Sequence, residues 1–235
     1  VFLHGGALDL EMWEPQFDEL ARELTVVALD RRGFGLSSGQ PDLSREVEDV
    51  LAIAEALNIR TMTLVGMSQG GFLSMRAAVR YPERVKALVL IDTAAALFPT
   101  EVLAAYRETA DAWLAQGPVG EIATNMAALL FGPRYKADTW IAKWQSKPPC
   151  ESAHPWETVL GRDEFMDKLK EIRCPSLVIH DSADQAFDLE TAKGLRDNLG
   201  DCKGLVVVRG AAHAPNVTHP KSVNGPLADF LKKYA

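Results

Sequence analysis

A chain of 235 residues suits one domain with a sizeable core, with room for an inserted subdomain. Its 47% hydrophobic and 24% charged residues argue against disorder. A net charge of −7 disfavours the positive field that a nucleic acid or an anionic membrane surface would need.

Short β-rich runs alternate with longer helical patterns along the chain. That alternation predicts an α/β protein with a mostly parallel sheet and helices on both faces. Strands are expected at Val1–His4, Thr25–Asp30, Thr61–Gly66, Val85–Asp92, Ser176–His180 and Gly204–Arg209. Helices are expected at Pro15–Glu23, Ser44–Leu57, Gln69–Arg80, Glu190–Leu199 and Pro220–Tyr234. Between the fourth and fifth strands the alternation stops. Residues 94–173 are helical in pattern, carry Trp113, Trp140, Trp144 and Trp156, and are punctuated at Gly117-Pro118, Gly132-Pro133 and Pro148-Pro149. A structureless loop of that length does not fit a compact domain, so the segment is expected to be a helical lid over a core built from 1–93 and 174–235. Most of its tryptophans would form the lid's own core. Trp113, Trp140 and Trp144 are the candidates for lining a substrate pocket.

The chemistry is concentrated at Gly66-Met67-Ser68-Gln69-Gly70, which follows an apolar strand and opens a helix. In that setting the pentapeptide is a nucleophile elbow, a sharp strained turn that needs neighbours without side chains. A serine hydroxyl requires a base within hydrogen-bond reach, and the base requires a carboxylate to orient it. His213, in the loop after the last strand, is the candidate base. Asp184, in the loop after the fifth strand, is the preferred acid. Asp181 at the strand end, Asp188 near the next helix and Asp92 at the end of the fourth strand stay open as alternatives. The oxyanion site is expected from the amides of Gln69 and Gly6, the latter in the His4-Gly5-Gly6-Ala7 turn. His4 itself suits a structural role, bonding loop backbone. His154, His180 and His219 have no evident partner. Arg107, Arg134 and Lys136 stand equally as readers of a substrate carboxylate and as solvated lid charges.

With these motifs the chain resembles the α/β-hydrolase superfamily nearly end to end. The Asp30-Arg31-Arg32-Gly33-Phe34-Gly35-Leu36-Ser37 segment is similar to a structural loop common in that family, and His213-Ala214-Pro215 is similar to its histidine loop. The nearest resemblance is to small lidded carboxylesterases and 3-oxoadipate enol-lactonases. It implies a serine hydrolase that cleaves a carboxylic ester or lactone through an acyl-enzyme, with no cofactor. Carbon–carbon hydrolysis and cofactor-free perhydrolysis would use the same triad, and a non-catalytic ligand-binding protein is the rival of a different class. Two departures stand out: Asp181 occupies a position where many relatives have Gly, and the family's first two antiparallel strands are absent from this sequence. Their absence would leave Thr25–Asp30 as an exposed edge, so self-association as a homodimer, or a longer natural chain, is expected.

No apolar run approaches the roughly 20 residues that span a bilayer, and no basic segment leads into an apolar one at the start of the sequence, so a cytoplasmic location is expected. Cys150, Cys174 and Cys202 are scattered and odd in number, which predicts reduced thiols and no metal site.

Overall fold

The computed structural model describes residues 1–235. Six strands form one sheet: β1 (Phe2–Leu3), β2 (Ala28–Leu29), β3 (Met62–Met67), β4 (Val85–Ile91), β5 (Ser176–Asp181) and β6 (Cys202–Val208), in the order β2-β1-β3-β4-β5-β6. All five pairings are parallel. The central strands read as near-continuous apolar runs because both faces are covered. Along β4, Ala87, Val89 and Ile91 point into one apolar layer, whereas Leu88 and Leu90 point into the other.

The first layer packs the sheet against α1 (Glu14–Leu20) and α10 (Pro220–Tyr234), through Leu20, Val223, Leu227 and Phe230. The second packs it against α2 (Glu46–Ala56), α3 (Gln69–Arg80) and α9 (Leu189–Asn198), through Val47, Val50, Leu51, Phe72, Leu73, Ala192 and Leu195. Burying one such large apolar side chain contributes about 1.5–3 kcal/mol. Helix α9 starts at Asp188, whose Oδ1 accepts the Thr191 amide at 2.8 Å. That makes Asp188 a helix cap.

Strands β1 and β2 are much shorter than the apolar runs around them. Only Phe2↔Ala28 and Leu3↔Leu29 pair in ladder register. Strand β2 is the edge of the sheet, so the Thr25–Val27 run has a neighbour on one side only, and side-chain pattern cannot extend a ladder without a partner.

Between β4 and β5 the chain forms α4 (Thr100–Gln116), α5 (Gly120–Phe131), α6 (Asp138–Gln145), α7 (Pro149–Ser152), α8 (His154–Leu160) and a 3-10 turn at Met166–Glu171. Gly117 and Gly132 end α4 and α5 with φ of 78° and 79°, a region open to glycine at little cost. Trp113 forms the hub of this segment, its ring centre 6.0 Å from that of Trp144 and 5.9 Å from that of Trp156. The segment sits over the carboxyl ends of the strands. The Trp144 indole donates to the Ala7 carbonyl at 2.7 Å, and the His213 and Ala214 amides donate to the Leu129 and Leu130 carbonyls of α5.

Candidate active site

The strand order reverses between β1 and β3: β1 continues outward to β2 on one side, and β3 continues to β4 on the other. Open parallel sheets gather functional groups at such a switch point. The loop after β1 carries Gly5 and Gly6, and the turn after β3 carries Ser68, so the two lie side by side.

Ser68 has φ 52° and ψ −115°, a strained conformation for a residue with a side chain. The surrounding backbone enforces it. The Ser68 amide donates to the Ile91 carbonyl at 2.9 Å, and the Ser68 carbonyl accepts from Thr93 Oγ1 at 2.6 Å and from the Phe72 amide at 3.0 Å. The flanking glycines are required by close approach. A Cβ on Gly66 would stand 2.3 Å from the Gly70 carbonyl oxygen, and one on Gly70 would stand 2.0 Å from that of Leu3. The G-x-S-x-G spacing is thus a packing condition as much as a conformational one.

The Ser68 hydroxyl lies 2.9 Å from His213 Nε2, and His213 Nδ1 lies 2.8 Å from Asp184 Oδ2. All three are buried side chains, with Asp184 fully so. Asp184 Oδ1 accepts the Ala186 amide at 2.8 Å. Burial works against the Asp184 charge, but His213 and the Ala186 amide outweigh it and hold the carboxyl below its ordinary pKa. An anionic Asp184 fixes hydrogen on His213 Nδ1 and leaves Nε2 as the acceptor facing Ser68.

The other carboxylates considered from sequence have separate duties. Asp181 ties the two loops together, with Oδ1 accepting the Ala183 amide and Oδ2 accepting the Ala211 amide, 2.7 and 2.8 Å. Asp92 is fully buried behind the row. Its Oδ1 accepts the Asp181 amide at 2.8 Å and lies 3.1 Å from His180 Nδ1, while Oδ2 has no partner. Burial, reinforced by the neighbouring Asp184 charge, raises its pKa well above the usual carboxylate range, which favours the neutral acid. Burial also lowers the His180 pKa, and His180 Nε2 donates to the Phe187 carbonyl at 3.1 Å. Asp92, His180 and Asp184 bring potential ligand atoms within 4.8 Å of one another. Most of those atoms are already engaged by the bonds just given, and His180 Nδ1 and Asp92 Oδ2 alone among them lack a partner.

His4 is buried and structural: Nδ1 donates to the Gly5 carbonyl at 2.7 Å, and Nε2 accepts the Arg31 amide at 2.9 Å. Those two bonds demand one neutral tautomer. Burial and the Arg31 charge lower its pKa accordingly. The amides of Gly6 and Gln69 donate to no backbone acceptor. Both residues line the cavity that holds Ser68 and His213, and their amides are uncommitted.

That cavity, of about 60 Å³, is lined from the helical segment by Phe98, Tyr106, Met126, Leu129, Trp156 and Arg162, among others. Trp113, Trp140 and Trp144, expected from sequence to line it, do not. Trp113 is fully buried, its indole donating to Ser152 Oγ at 2.9 Å, and Trp140 and Trp144 face a neighbouring cleft of about 270 Å³ that lacks Ser68. Their indoles pack the segment's centre because that is where its helices converge. Trp156 reaches the cavity instead, with an unpartnered indole N–H. Arg107, Arg134 and Lys136 are exposed. Arg162, which the sequence did not distinguish from the charged residues around it, is buried at the cavity.

Residues 1–220 match the alpha/beta hydrolase fold family, and the chain belongs to that family. It is 26% identical over 246 residues to 3-oxoadipate enol-lactonase 1 of Acinetobacter baylyi, covering 99% of this chain and 88% of the relative. It is 27% identical over 249 residues to 2-hydroxymuconate semialdehyde hydrolase of a Pseudomonas species, covering 98% and 86%. Among solved structures, an esterase from Thermogutta terrifontis with malate bound superposes with a TM-score of 0.88 at 27% identity, covering 99% of this chain and 88% of that one. No helix is long and apolar enough to cross a membrane.

Proposed function

We propose that this hydrolase cleaves a carboxylic ester or lactone through an acyl-enzyme on Ser68. The observation that carries the reading is the unbroken row from Ser68 Oγ through His213 to Asp184, at 2.9 and 2.8 Å, with the two uncommitted amides of Gly6 and Gln69. Ser68 Oγ attacks the carbonyl carbon as its proton passes to His213 Nε2. Asp184 stabilises the imidazolium, and the developing oxyanion accepts from the Gly6 and Gln69 amides, each such donor being worth about 3 kcal/mol in the transition state. The leaving alkoxide takes the proton from Nε2. Water then attacks the acyl-enzyme with His213 again as base, which releases the acid and restores Ser68.

A cavity of about 60 Å³ is too small for an ester of ordinary size. An ester that fills the site would therefore require the side chains that the covering helices place around it to shift. The enol-lactonase and esterase named above support ester or lactone chemistry. The semialdehyde hydrolase supports a second reading, carbon–carbon bond hydrolysis on the same triad.

Release of p-nitrophenol from acetate and butyrate esters, beside Ser68→Ala, tests the proposal. Turnover in the native protein that falls on the order of 10⁶ in the variant is expected. Turnover equal in both removes Ser68 from the chemistry. Hydrolysis of a β-diketone-type substrate without ester cleavage favours the second reading.

A further inference from the structure

Arg162 lies in the connection between α8 and the 3-10 turn, only 7% exposed, and it lines the cavity that contains Ser68 and His213. Its guanidinium has no carboxylate partner. One amino group, Nη2, donates to the Ala94 carbonyl, whereas Nε and Nη1 have no hydrogen-bond partner at all. The two acidic residues beside it are committed elsewhere: Asp163 pairs with Arg76, and the Glu164 carboxylate accepts the amides of Leu97, Phe165 and Met166. Aromatic faces hold the group in place, with its central carbon 4.1 Å from the Phe72 ring centre, 5.4 Å from Phe98 and 5.6 Å from Phe187.

An arginine in this state is costly. A buried charge is normally compensated by a counter-ion and a full set of hydrogen bonds, and a guanidinium with idle N–H groups lacks both. Burial, with Arg76 nearby, lowers its pKa to about 9, so it is still cationic at neutral pH. It is the one permanently charged side chain on a wall that is otherwise mostly apolar. Ring faces and a carbonyl compensate it in part. An anion would complete the compensation, and the cavity that Arg162 lines is one place from which it could come.

On the reading that Ser68 attacks an ester carbonyl, we infer that Arg162 binds a free carboxylate on the substrate, which is therefore a monoester of a dicarboxylic acid or a lactone bearing an acid group. Nε and Nη1 have almost no exposed surface in this structure, so the carboxylate reaches these idle N–H groups as side chains at the cavity wall shift, while the scissile carbonyl sits against the Gly6 and Gln69 amides. One end of the acyl chain is thus anchored and the other presented to Ser68. Because the ion pair forms in a largely apolar space, it discriminates against a neutral chain of equal length, whose binding would leave the guanidinium unpaired.

The test compares p-nitrophenyl hydrogen glutarate with p-nitrophenyl hexanoate, which is similar in length and uncharged at the far end. The ratio of their kcat/KM values is measured in the native enzyme, Arg162→Met and Arg162→Lys. The native enzyme is expected to prefer the glutarate ester roughly 10- to 100-fold, the range a charge-assisted hydrogen bond provides. In Arg162→Met that ratio collapses through a rise in KM for the glutarate ester, and Arg162→Lys retains part of it. A purely structural role would depress both esters together and leave the ratio unchanged, which overturns the inference, as does the absence of a native preference. If neither ester is hydrolysed, the proposed ester chemistry fails separately. The inference is then read from calorimetric titration with glutarate: binding that Arg162→Met abolishes upholds it, and no binding to the native protein overturns it.

Discussion

Asp92 offers a direct test of the electrostatics behind the catalytic row. Its carboxyl is fully buried, receives the Asp181 amide on one oxygen, and faces the Asp184 carboxylate, the strongest charge near it. Burial and that neighbour hold its folded pKa well above that of the unfolded chain, where it ionises near pH 3.9. Folding then takes up a proton at any pH between the two pKa values. For an acid whose folded pKa is raised, the contribution to stability is fully present below the unfolded pKa and is lost as the pH rises towards the folded one. The slope is about 1.4 kcal/mol per pH unit. Asp92→Asn removes that proton without changing shape. The amide oxygen can still accept from Asp181, and the amide nitrogen takes the place of the unpartnered Oδ2. Unfolding by urea, measured at intervals from pH 5 to pH 8, should give a stability difference that moves in favour of Asp92→Asn. The increment is about 1.4 kcal/mol per unit until the native Asp92 itself ionises. Comparing the two proteins at each pH cancels the other titrating groups to first order. A difference that is flat with pH, or that shrinks as the pH rises, would refute the assignment of Asp92 as a neutral acid and would make it an ionised partner of His180.

Asp184→Asn should lower kcat for p-nitrophenyl esters on the order of 10⁴ with little change in KM, because the amide cannot hold His213 in the tautomer that accepts from Ser68; a loss below tenfold would move the acid elsewhere. Gly6→Ala and Gly70→Ala should behave oppositely. A Cβ on Gly6 meets the protein no closer than 3.5 Å, at Gln69, so melting temperature should hold while turnover drops at least about tenfold as the methyl crowds the oxyanion position. On Gly70 the Cβ would press on the Leu3 and His4 carbonyls at 2.0 and 2.8 Å, costing about 3 kcal/mol and roughly 6–12 °C in melting temperature. Equal thermal shifts in the two variants would contradict that contrast.

What the sequence determined by itself was the part of the molecule written in local chemistry. A strand, a glycine-flanked serine and a helix cannot be arranged in many ways, and helix α3 runs Gln69–Arg80 as the periodicity alone requires. The loops that follow β5 and β6 deliver Asp184 and His213 because a parallel strand has only one end from which to send a loop to the same edge. Tertiary structure decided the rest. Among Asp92, Asp181, Asp184 and Asp188, sequence position favoured one, but only the fold gave each of the others its own work: a neutral acid, a tie between loops and a helix cap. The tryptophans and arginines were less legible still. An amphipathic helix states which of its faces is apolar, not whether that face meets other helices or a cavity, so Trp113 became the hub of the covering segment and Trp156 reached the site. Arg162 sits in a charged stretch, Arg162-Asp163-Glu164, that reads as solvated. Its isolation from both neighbouring carboxylates depends on Arg76, the Leu97 amide and three aromatic rings far away in the chain. Local pattern fixes what a residue can do chemically, and long-range packing decides which residues are left free to do it.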